Sequence, residues 1–356
     1  MNKLSVKHLV VFILGVTCIS FKTYPSIFIS AGGRDTWIYT LISFILFLAF
    51  AMFLIYIVAS KNFYNINDIF TIGLSKPIGN IFLFLFALGL FMSCIESVAV
   101  EANVVKTTFF LETPAWYIII FFLLPSLFLL GKKLNTLLVF IIITVSSLIF
   151  NTVALAAITE KYKNYANIIP IFAGNSFSEL VSAGLLILGS LSAFSICLPY
   201  LKYLIDGKHL KRHSFISLLL AGFVCLYCIL GIIATFGPLR GANLFYPEFT
   251  QSQRVQIGGF LEFGELFFLY QSVIGFFIKY ILCSYGIYII YERYIKNTKL
   301  FISIHTVLVF IISIFFARNN YILFNVLKYY QYINLVLFIL VPLIGFTAFS
   351  LRYNKK

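Results

Sequence analysis

Charged residues are scarce in this sequence. Asp, Glu, Lys and Arg make up only 11% of its 356 residues, whereas 61% are hydrophobic. Soluble globular proteins carry about 25% charged residues, so this chain has too few to cover a surface that faces water. Several apolar runs reach the roughly 20 residues that a helix needs to cross a bilayer. Long apolar runs are Thr36–Ala59, Ile78–Glu96, Pro114–Leu130, Leu134–Ile158 and Leu300–Ala317. The sequence therefore predicts an all-α integral membrane protein.

The sequence also lacks the residue clusters of a conventional enzyme. Its four His residues are scattered, it has no Gly-rich phosphate loop, and its six Cys residues all lie in apolar segments. Cys225 and Cys228 have the CxxC spacing, but a structural zinc site needs further ligands. A thiol inside a membrane span usually behaves as a small hydrophobe. We therefore expect no enzyme activity, no cofactor and no metal.

Acidic residues are few, with 12 Asp and Glu against 26 Lys and Arg, which gives a net charge of +14. In a soluble protein this excess would suggest nucleic acid, but here the distribution of the charges explains it. With ten spans and the N-terminus inside, 16 basic residues fall on the inner side and 8 on the outer side. The remaining two, Lys22 and Lys279, lie inside spans. This bias predicts both termini in the cytoplasm and no nucleic-acid partner.

Hydropathy predicts ten membrane helices in one transmembrane domain, residues 1–356, with no soluble domain appended. A short membrane-parallel segment at Ile322–Tyr330 is predicted before the last helix. The ten predicted helices are 8–31, 36–60, 78–108, 114–131, 134–158, 179–203, 213–236, 260–291, 300–317 and 330–351.

Ionisable side chains at membrane depth are costly and by default mark an interior or functional site. In the third helix, Glu96 and Asn103 share a face, whereas Glu101 lies on a second polar stripe. Either glutamate could instead be a protonated group that hydrogen-bonds a neighbouring helix. In the eighth helix, Glu265 and Lys279 share a face but lie about 21 Å apart, so each needs a partner elsewhere.

Two helices carry signals of interruption. Lys22 stands three residues before Pro25, whose missing N–H frees a backbone carbonyl near the ammonium and the hydroxyls of Thr17 and Ser20. In the sixth helix, Gly189 to Ser192 favours local unwinding, with Pro199 beyond. These are the first and sixth of ten helices, so they correspond in a five-plus-five inverted repeat. Paired interrupted helices are a pointer to a transporter-like binding site.

Three stretches resemble the permease-like B subunits of bacterial spore germinant receptors, the GerAB/GerKB type within the amino acid–polyamine–organocation transporter superfamily. The first is Tyr24-Pro25 followed by AGGRDTW at 31–37, and the second is SLSAFSICLPYL at 190–201. The third is FLEFGE at 260–265 with FFIKY at 276–280. The sequence departs from the family pattern at Lys22, Phe263 and Gln271, which affects the ligand more than the fold.

The resemblance implies a LeuT-like fold with broken helices 1 and 6. It also implies a subunit that senses a small germinant, often an amino acid, in the spore inner membrane beside receptor A and C subunits. We expect ligand contact between helices 1 and 6, walled by helices 3 and 8. The candidate ligand-binding residues are Thr17, Ser20, Phe21, Lys22, Thr23, Glu96, Gly189, Ser190, Ser192 and Ser272.

Four residues are candidates for charge or coupling, and they leave alternative functions open. They are Lys22, Glu96, Glu101 and Lys279. The two lysines would supply the fixed charge that sodium supplies in ion-coupled relatives. A second hypothesis is a proton-coupled amino acid transporter that uses Glu96 or Glu101. A third is a scaffold that binds no ligand.

Overall fold

Helices make up almost all of the computed structural model, which describes residues 4–171, 177–205, 207–257 and 261–353. The α-helices are α1 (Val6–Thr17), α2 (Ile19–Thr23), α3 (Ser26–Gly32), α4 (Thr36–Lys61), α5 (Ile66–Leu74), α6 (Lys76–Thr108), α7 (Ala115–Leu130), α8 (Leu134–Thr159), α9 (Phe177–Leu191), α10 (Leu210–Asn243), α11 (Pro247–Ser252), α12 (Gly264–Tyr291), α13 (Thr298–Ala317), α14 (Asn320–Asn334) and α15 (Val341–Tyr353). Short 3₁₀ segments lie at Gly33–Asp35, Glu160–Tyr162 and Tyr165–Ile168. Two strands, β1 (Gln256–Ile257) and β2 (Leu261–Glu262), pair antiparallel in the link before α12.

Nine helices in the described part of the chain are long and apolar enough to cross a membrane. A tenth apolar helix, α7, has 16 residues and is shorter than the roughly 20 that a full span needs. The most buried span is α12, at 83%, followed by Val6–Thr23 at 72% and Ser178–Tyr203 at 67%. These three form the centre of the bundle, whereas α8 and α13 lie at its edge. The all-α multi-pass membrane fold predicted from the sequence is confirmed.

Helix 1, which comprises α1, α2 and α3, is interrupted where the sequence predicts it. Tyr24 leaves the helical region with φ −128° and ψ 53°, and α3 begins directly after Pro25. A residue before proline is pushed out of the α conformation, and proline has no N–H to continue the helical hydrogen bonds. The interruption divides the helix at a buried position, because Tyr24 has no exposed surface.

Helix 6, which comprises α9 and Ser192–Tyr203, changes its winding instead of unwinding. The backbone from Ser192 to Tyr203 forms a 3₁₀ helix of 12 residues. Runs of 3₁₀ helix longer than three or four residues are uncommon, because their hydrogen-bond geometry is poorer. The predicted local unwinding at Gly189 to Ser192 is therefore wrong in form, although the irregular segment begins at the predicted residue.

Helix 10, which comprises α14, Leu335–Leu340 and α15, is longer than predicted. It begins at Asn320 and runs to Tyr353, with a π-helical segment at Leu335–Leu340. The separate membrane-parallel segment predicted before it is wrong, because α14 continues directly into the π-helical turn. That turn meets helix 6, where Ser195 Oγ donates to the Phe338 carbonyl at 2.6 Å.

Two links for which the sequence predicts no helix each contain one. The link between α4 and α6 holds α5, which packs against α15 through Gly73, and the link after α10 holds α11. The start of helix 8 also differs from the prediction. Residue 260 lies outside the described residues, and because Leu261–Glu262 is a strand, α12 begins only at Gly264.

Candidate functional site

Helix 1 presents its polar side chains in two directions. Ser20 and Tyr24 are four residues apart, so they lie on one face of the helix, and both contact Glu96 of α6. Lys22 lies two residues from each of them and points away, towards Gln271 of α12. The predicted convergence of Lys22 with the hydroxyl of Ser20 is therefore wrong, because residues two apart on a helix face nearly opposite sides.

The first buried cluster, here called the Glu96 cluster, consists of Ser20, Tyr24, Glu96, Lys279 and Gln331. The Glu96 carboxylate accepts hydrogen bonds at Oε1 from Ser20 Oγ at 2.7 Å and from Tyr24 OH at 2.8 Å. Its Oε2 accepts one from Lys279 Nζ at 2.6 Å. Lys279 also donates to Ser20 Oγ at 2.6 Å, and Gln331 Nε2 donates to Tyr24 OH at 3.3 Å. The cluster thus joins helix 1 to α6, α12 and α14.

Electrostatics make the Glu96 cluster sensitive to any change in its members. Glu96 and Lys279 form an ion pair whose side chains are only 3% and 2% exposed. Removing two charges from water is expensive, and the pair is tolerated only with good geometry and further hydrogen bonds. The Ser20 and Tyr24 hydroxyls supply those bonds. A ligand or proton that competes for Glu96 would therefore alter contacts among three helices at once.

Helices 6 and 10 meet beside this cluster and contain buried polar atoms without partners. Gly189 packs on the backbone of α14, and a Cβ placed there would lie 2.0 Å from the Gln331 carbonyl oxygen. Among the described residues, no hydrogen-bond partner is found for Ser190 Oγ or for Gln331 Oε1. Such orphaned atoms cost stability unless water or a ligand satisfies them.

The second cluster, here called the Lys22 cluster, consists of Lys22, Thr152, Glu248 and Gln271. Lys22 Nζ donates to Gln271 Oε1 at 2.7 Å and to Thr152 Oγ1 at 3.4 Å, and it pairs with Glu248 Oε1 at 3.3 Å. Gln271 Nε2 donates to Glu248 Oε2 at 3.1 Å. The cluster brings together α2, α8, α11 and α12. Lys22 is 6% exposed and Glu248 8%.

The other predicted ligand residues make local contacts. Phe21 is buried and stacks on Phe28 with ring centroids 4.5 Å apart. Four hydroxyl residues donate instead to a backbone carbonyl three or four residues earlier. They are Thr17 to Ile13, Thr23 to Ile19, Ser192 to Gly189 and Ser272 to Leu269. Their hydroxyl donors serve the helix itself.

Glu101 and Glu265 stand apart from both clusters. Glu101 is 4% exposed, and its Oε2 has no hydrogen-bond partner among the described residues. It lies on the wall of a cavity of about 840 Å³ whose other lining is mainly aromatic and aliphatic, between α7 and α12. Glu265 accepts a hydrogen bond from Gln253 at 2.9 Å near the start of α12, far from Lys279.

Five cluster residues were not among the predicted site residues: Tyr24, Thr152, Glu248, Gln271 and Gln331. Tyr24 shares the Ser20 face, which the spacing alone shows. Glu248 follows Pro247, and proline at the first position with an acid in the first turn is a helix-start signal. Gln271 and Gln331 are neutral, so their positions inside spans indicate a functional site less strongly than a charged residue would.

The described residues contain no set of side chains suited to bind a metal ion. No group of three or more His, Cys, Asp or Glu residues is placed to hold a metal ion there. All six cysteines are buried and free, as expected for thiols that pack as apolar groups.

Membrane-spanning helices around buried ionisable clusters define a multi-pass membrane protein. A family profile described as spore germination protein matches residues 3–322, nearly the whole chain. The chain therefore belongs to the spore germination protein family and is a membrane-embedded, germination-related permease. Among curated proteins, none matches this sequence.

Proposed function

We propose that this chain is the germinant-sensing subunit of a spore nutrient receptor and binds a small, amino acid-like germinant between helices 1 and 6. Family membership supports a role in germination. The observation that carries the proposal is the Glu96 cluster. It ties the interrupted part of helix 1 to α6 and α12 through one buried carboxylate.

The ligand would act by competing for the contacts of that cluster. An ammonium group can replace Lys279 beside Glu96, and a carboxylate can take the Lys279 ammonium. Ser190 Oγ and Gln331 Oε1 offer further hydrogen-bonding capacity that no described residue uses. Because a ligand shifts an equilibrium by its differential affinity, a germinant that separates Glu96 from Lys279 would favour a state in which helix 1, α6 and α12 are rearranged.

The proposed setting is the spore inner membrane, with both termini in the cytoplasm and receptor A and C subunits as partners. The positive-inside bias supports this orientation. A rearrangement of helix 1 would reach the partners through the inner ends of the helices. Helices 6 and 8 are joined there, because Lys202 and Tyr203 contact Glu292.

The test is the germinant response of spores that carry Ser20→Ala or Ser190→Ala. We expect both variants to shift the amino acid concentration for half-maximal germination by fivefold or more, at unchanged protein abundance. Ser182→Ala is the matched control on helix 6, because Ser182 donates only to the Glu179 carbonyl. Unchanged dose responses for both variants would contradict the helix 1–helix 6 site.

A proton-coupled amino acid transporter is the second candidate, and Glu101 favours it. A buried carboxyl oxygen with no partner, on the wall of a large cavity, suits a group that takes up and releases a proton. Uptake into proteoliposomes decides between the two functions. Accumulation of amino acid against its gradient, driven by a pH difference and lost in Glu101→Gln, would favour transport over sensing.

A further inference from the structure

A cavity of about 250 Å³ lies against the Lys22 cluster, on the side of helix 1 opposite to the Glu96 cluster. Its walls come from α2, α8, α10 and α11. Because a water molecule occupies about 30 Å³ in the liquid, the cavity has room for about eight non-hydrogen atoms. The polar residues that line it are Lys22, Thr152, Thr159, Lys163, Tyr227, Glu248 and Gln251.

Opposite charges stand side by side in the wall of this cavity. Lys22 makes its shortest contact with the neutral Gln271 oxygen at 2.7 Å, and its distance to Glu248 is longer, at 3.3 Å. An ammonium has three donors, and a carboxylate accepts at about four positions. The three Lys22 donors reach Gln271, Thr152 at 3.4 Å and Glu248 at 3.3 Å, so a ligand carboxylate would take the place of the two longer contacts. Glu248 would then be left with acceptor positions for the ammonium of the same ligand.

The rest of the wall is apolar. Val153, Phe223, Val224 and Ile232 line the cavity beside the charged groups. A site with a few convergent polar groups and an apolar wall is the usual composition of a small-molecule pocket. The size and lining fit an aliphatic side chain of a few carbons.

Polar contacts lie along one rim of the cavity. Lys163 Nζ donates to Glu160 Oε2 at 2.7 Å and lies 3.9 Å from the centre of the Tyr227 ring. Tyr227 OH donates to the same Glu160 oxygen at 2.7 Å. The Glu160 side chain is 47% exposed, so the rim reaches the surface. Opening these contacts would admit a small molecule without any change in the Glu96 cluster.

We propose that this cavity is a second, outer binding site for a compact aliphatic amino acid in its zwitterionic form. The ligand carboxylate pairs with Lys22 and its ammonium with Glu248, while the side chain lies against Phe223 and Ile232. The site adds to the proposed sensing function, on which its role in germination rests. It selects the ligand before the deeper Glu96 cluster meets it.

Direct binding to the full chain in lipid nanodiscs tests the proposal, with tritiated L-alanine, L-valine and L-leucine as probes. Lys22→Met and Glu248→Gln should each weaken binding at the outer site at least tenfold and leave the binding component that depends on Ser190. Ala156→Leu, which places extra carbons in the cavity, should weaken leucine binding more than alanine binding. Lys328→Met is the matched control, because Lys328 is exposed on α14.

Ligand analogues test the zwitterion without altering the protein. Isovaleric acid and isoamylamine keep the carbon chain of leucine but lack one charged group each. We expect both to compete at least tenfold more weakly than leucine. Competition by either analogue at the strength of leucine would overturn the proposal, as would the absence of saturable binding of all three amino acids to the wild-type chain.

The two proposals can fail separately. Normal binding by Lys22→Met and Glu248→Gln, with binding lost in Ser190→Ala, would overturn the outer site and leave the deeper one. The opposite pair of results is also possible: Lys22→Met loses binding in nanodiscs, but spores germinate normally without this chain. That pair would overturn the sensing function and leave the outer site.

Discussion

Lys279 of α12 and Glu96 of α6 form an ion pair in the centre of the bundle, with Nζ and Oε2 2.6 Å apart. The two residues are 183 positions apart in the sequence. Both side chains are almost fully buried, so each depends on the other for compensation of its charge. Several expectations about stability and function depend on this relationship and on the close packing around it.

Breaking the ion pair from one side should destabilise the protein strongly. We expect Lys279→Met to lower the free energy of unfolding by about 3–5 kcal/mol, because it leaves Glu96 as an uncompensated buried charge. The double variant Lys279→Met/Glu96→Leu should recover much of the loss. Thermal unfolding in detergent measures both. A double variant less stable than Lys279→Met would contradict the pairing.

The two glutamates of α6 should respond differently to the same isosteric change. Glu96→Gln removes a charge that accepts three hydrogen bonds, whereas Glu101→Gln changes a group with an unpartnered oxygen. We expect a loss of about 3 kcal/mol or more for the first, and less than about 1 kcal/mol for the second. Each variant is the control for the other in the same unfolding assay. Equal losses would show that Glu101 has a structural partner.

Close packing of helix 6 on helix 10 should make Gly189 intolerant of a side chain. A Cβ at Gly189 would lie 2.0 Å from the Gln331 carbonyl oxygen, so Gly189→Ala requires the helices to separate. We expect a loss above about 3 kcal/mol or a failure to accumulate in the membrane. At Gly184 of the same helix the nearest atom would be 3.5 Å away, so Gly184→Ala should be tolerated. Normal stability of Gly189→Ala would contradict the observed packing.

The contact between the C-terminal ends of helices 6 and 8 should depend on pH. Burial of the Glu292 carboxyl opposes its ionisation, but hydrogen bonds from Lys202 and Tyr203 outweigh this effect, so the pKa of Glu292 lies below its usual value. A carboxylate with a lowered pKa stabilises the folded state above its unfolded pKa of about 4.3, and this stability is lost as pH falls through the folded value.

We therefore expect Glu292→Gln to lower the melting temperature at pH 7, with a loss of about 1 kcal/mol or less for this partly exposed pair. The difference from the wild type should shrink below about pH 4 as the wild-type carboxyl is protonated. Glu112→Gln, at an exposed position between α6 and α7, is the control and should change nothing. A Glu292→Gln difference that is constant from pH 7 to pH 3 would argue against the carboxylate contact.

Some features of the site depend on contacts within one helix and could be predicted, whereas others depend on contacts between distant helices. Spacing alone shows that Ser20 and Tyr24 share a face, and Pro25 alone predicts the break in helix 1. Spacing could not show that the hydroxyls of Thr17 and Ser192 donate to backbone carbonyls of their own helices. Spacing also could not identify Gln331 as a site residue, because a neutral side chain costs less than a charge at membrane depth and so does not mark a site.

Two elements missed in the links had large consequences. The helix α11 holds Glu248, which makes Lys22 part of a charge cluster instead of a lone ammonium beside a free carbonyl. The helix α5 fills the link between α4 and α6 and packs against α15. Hydropathy predicts helices in links poorly, because these short helices need no long apolar run. They are stabilised by packing against distant parts of the fold.

The sequence by itself determined the class of protein, an all-α multi-pass membrane protein with ionisable residues inside apolar segments. Lipid enforces these features locally, because it requires long apolar runs and penalises every buried charge. Only the tertiary structure decided which groups compensate those charges. Lys22 binds Gln271, 249 positions away, and Lys279 binds Glu96, so the two lysines serve different clusters. These pairings depend on how separate helices pack, and no local pattern in the chain encodes that arrangement.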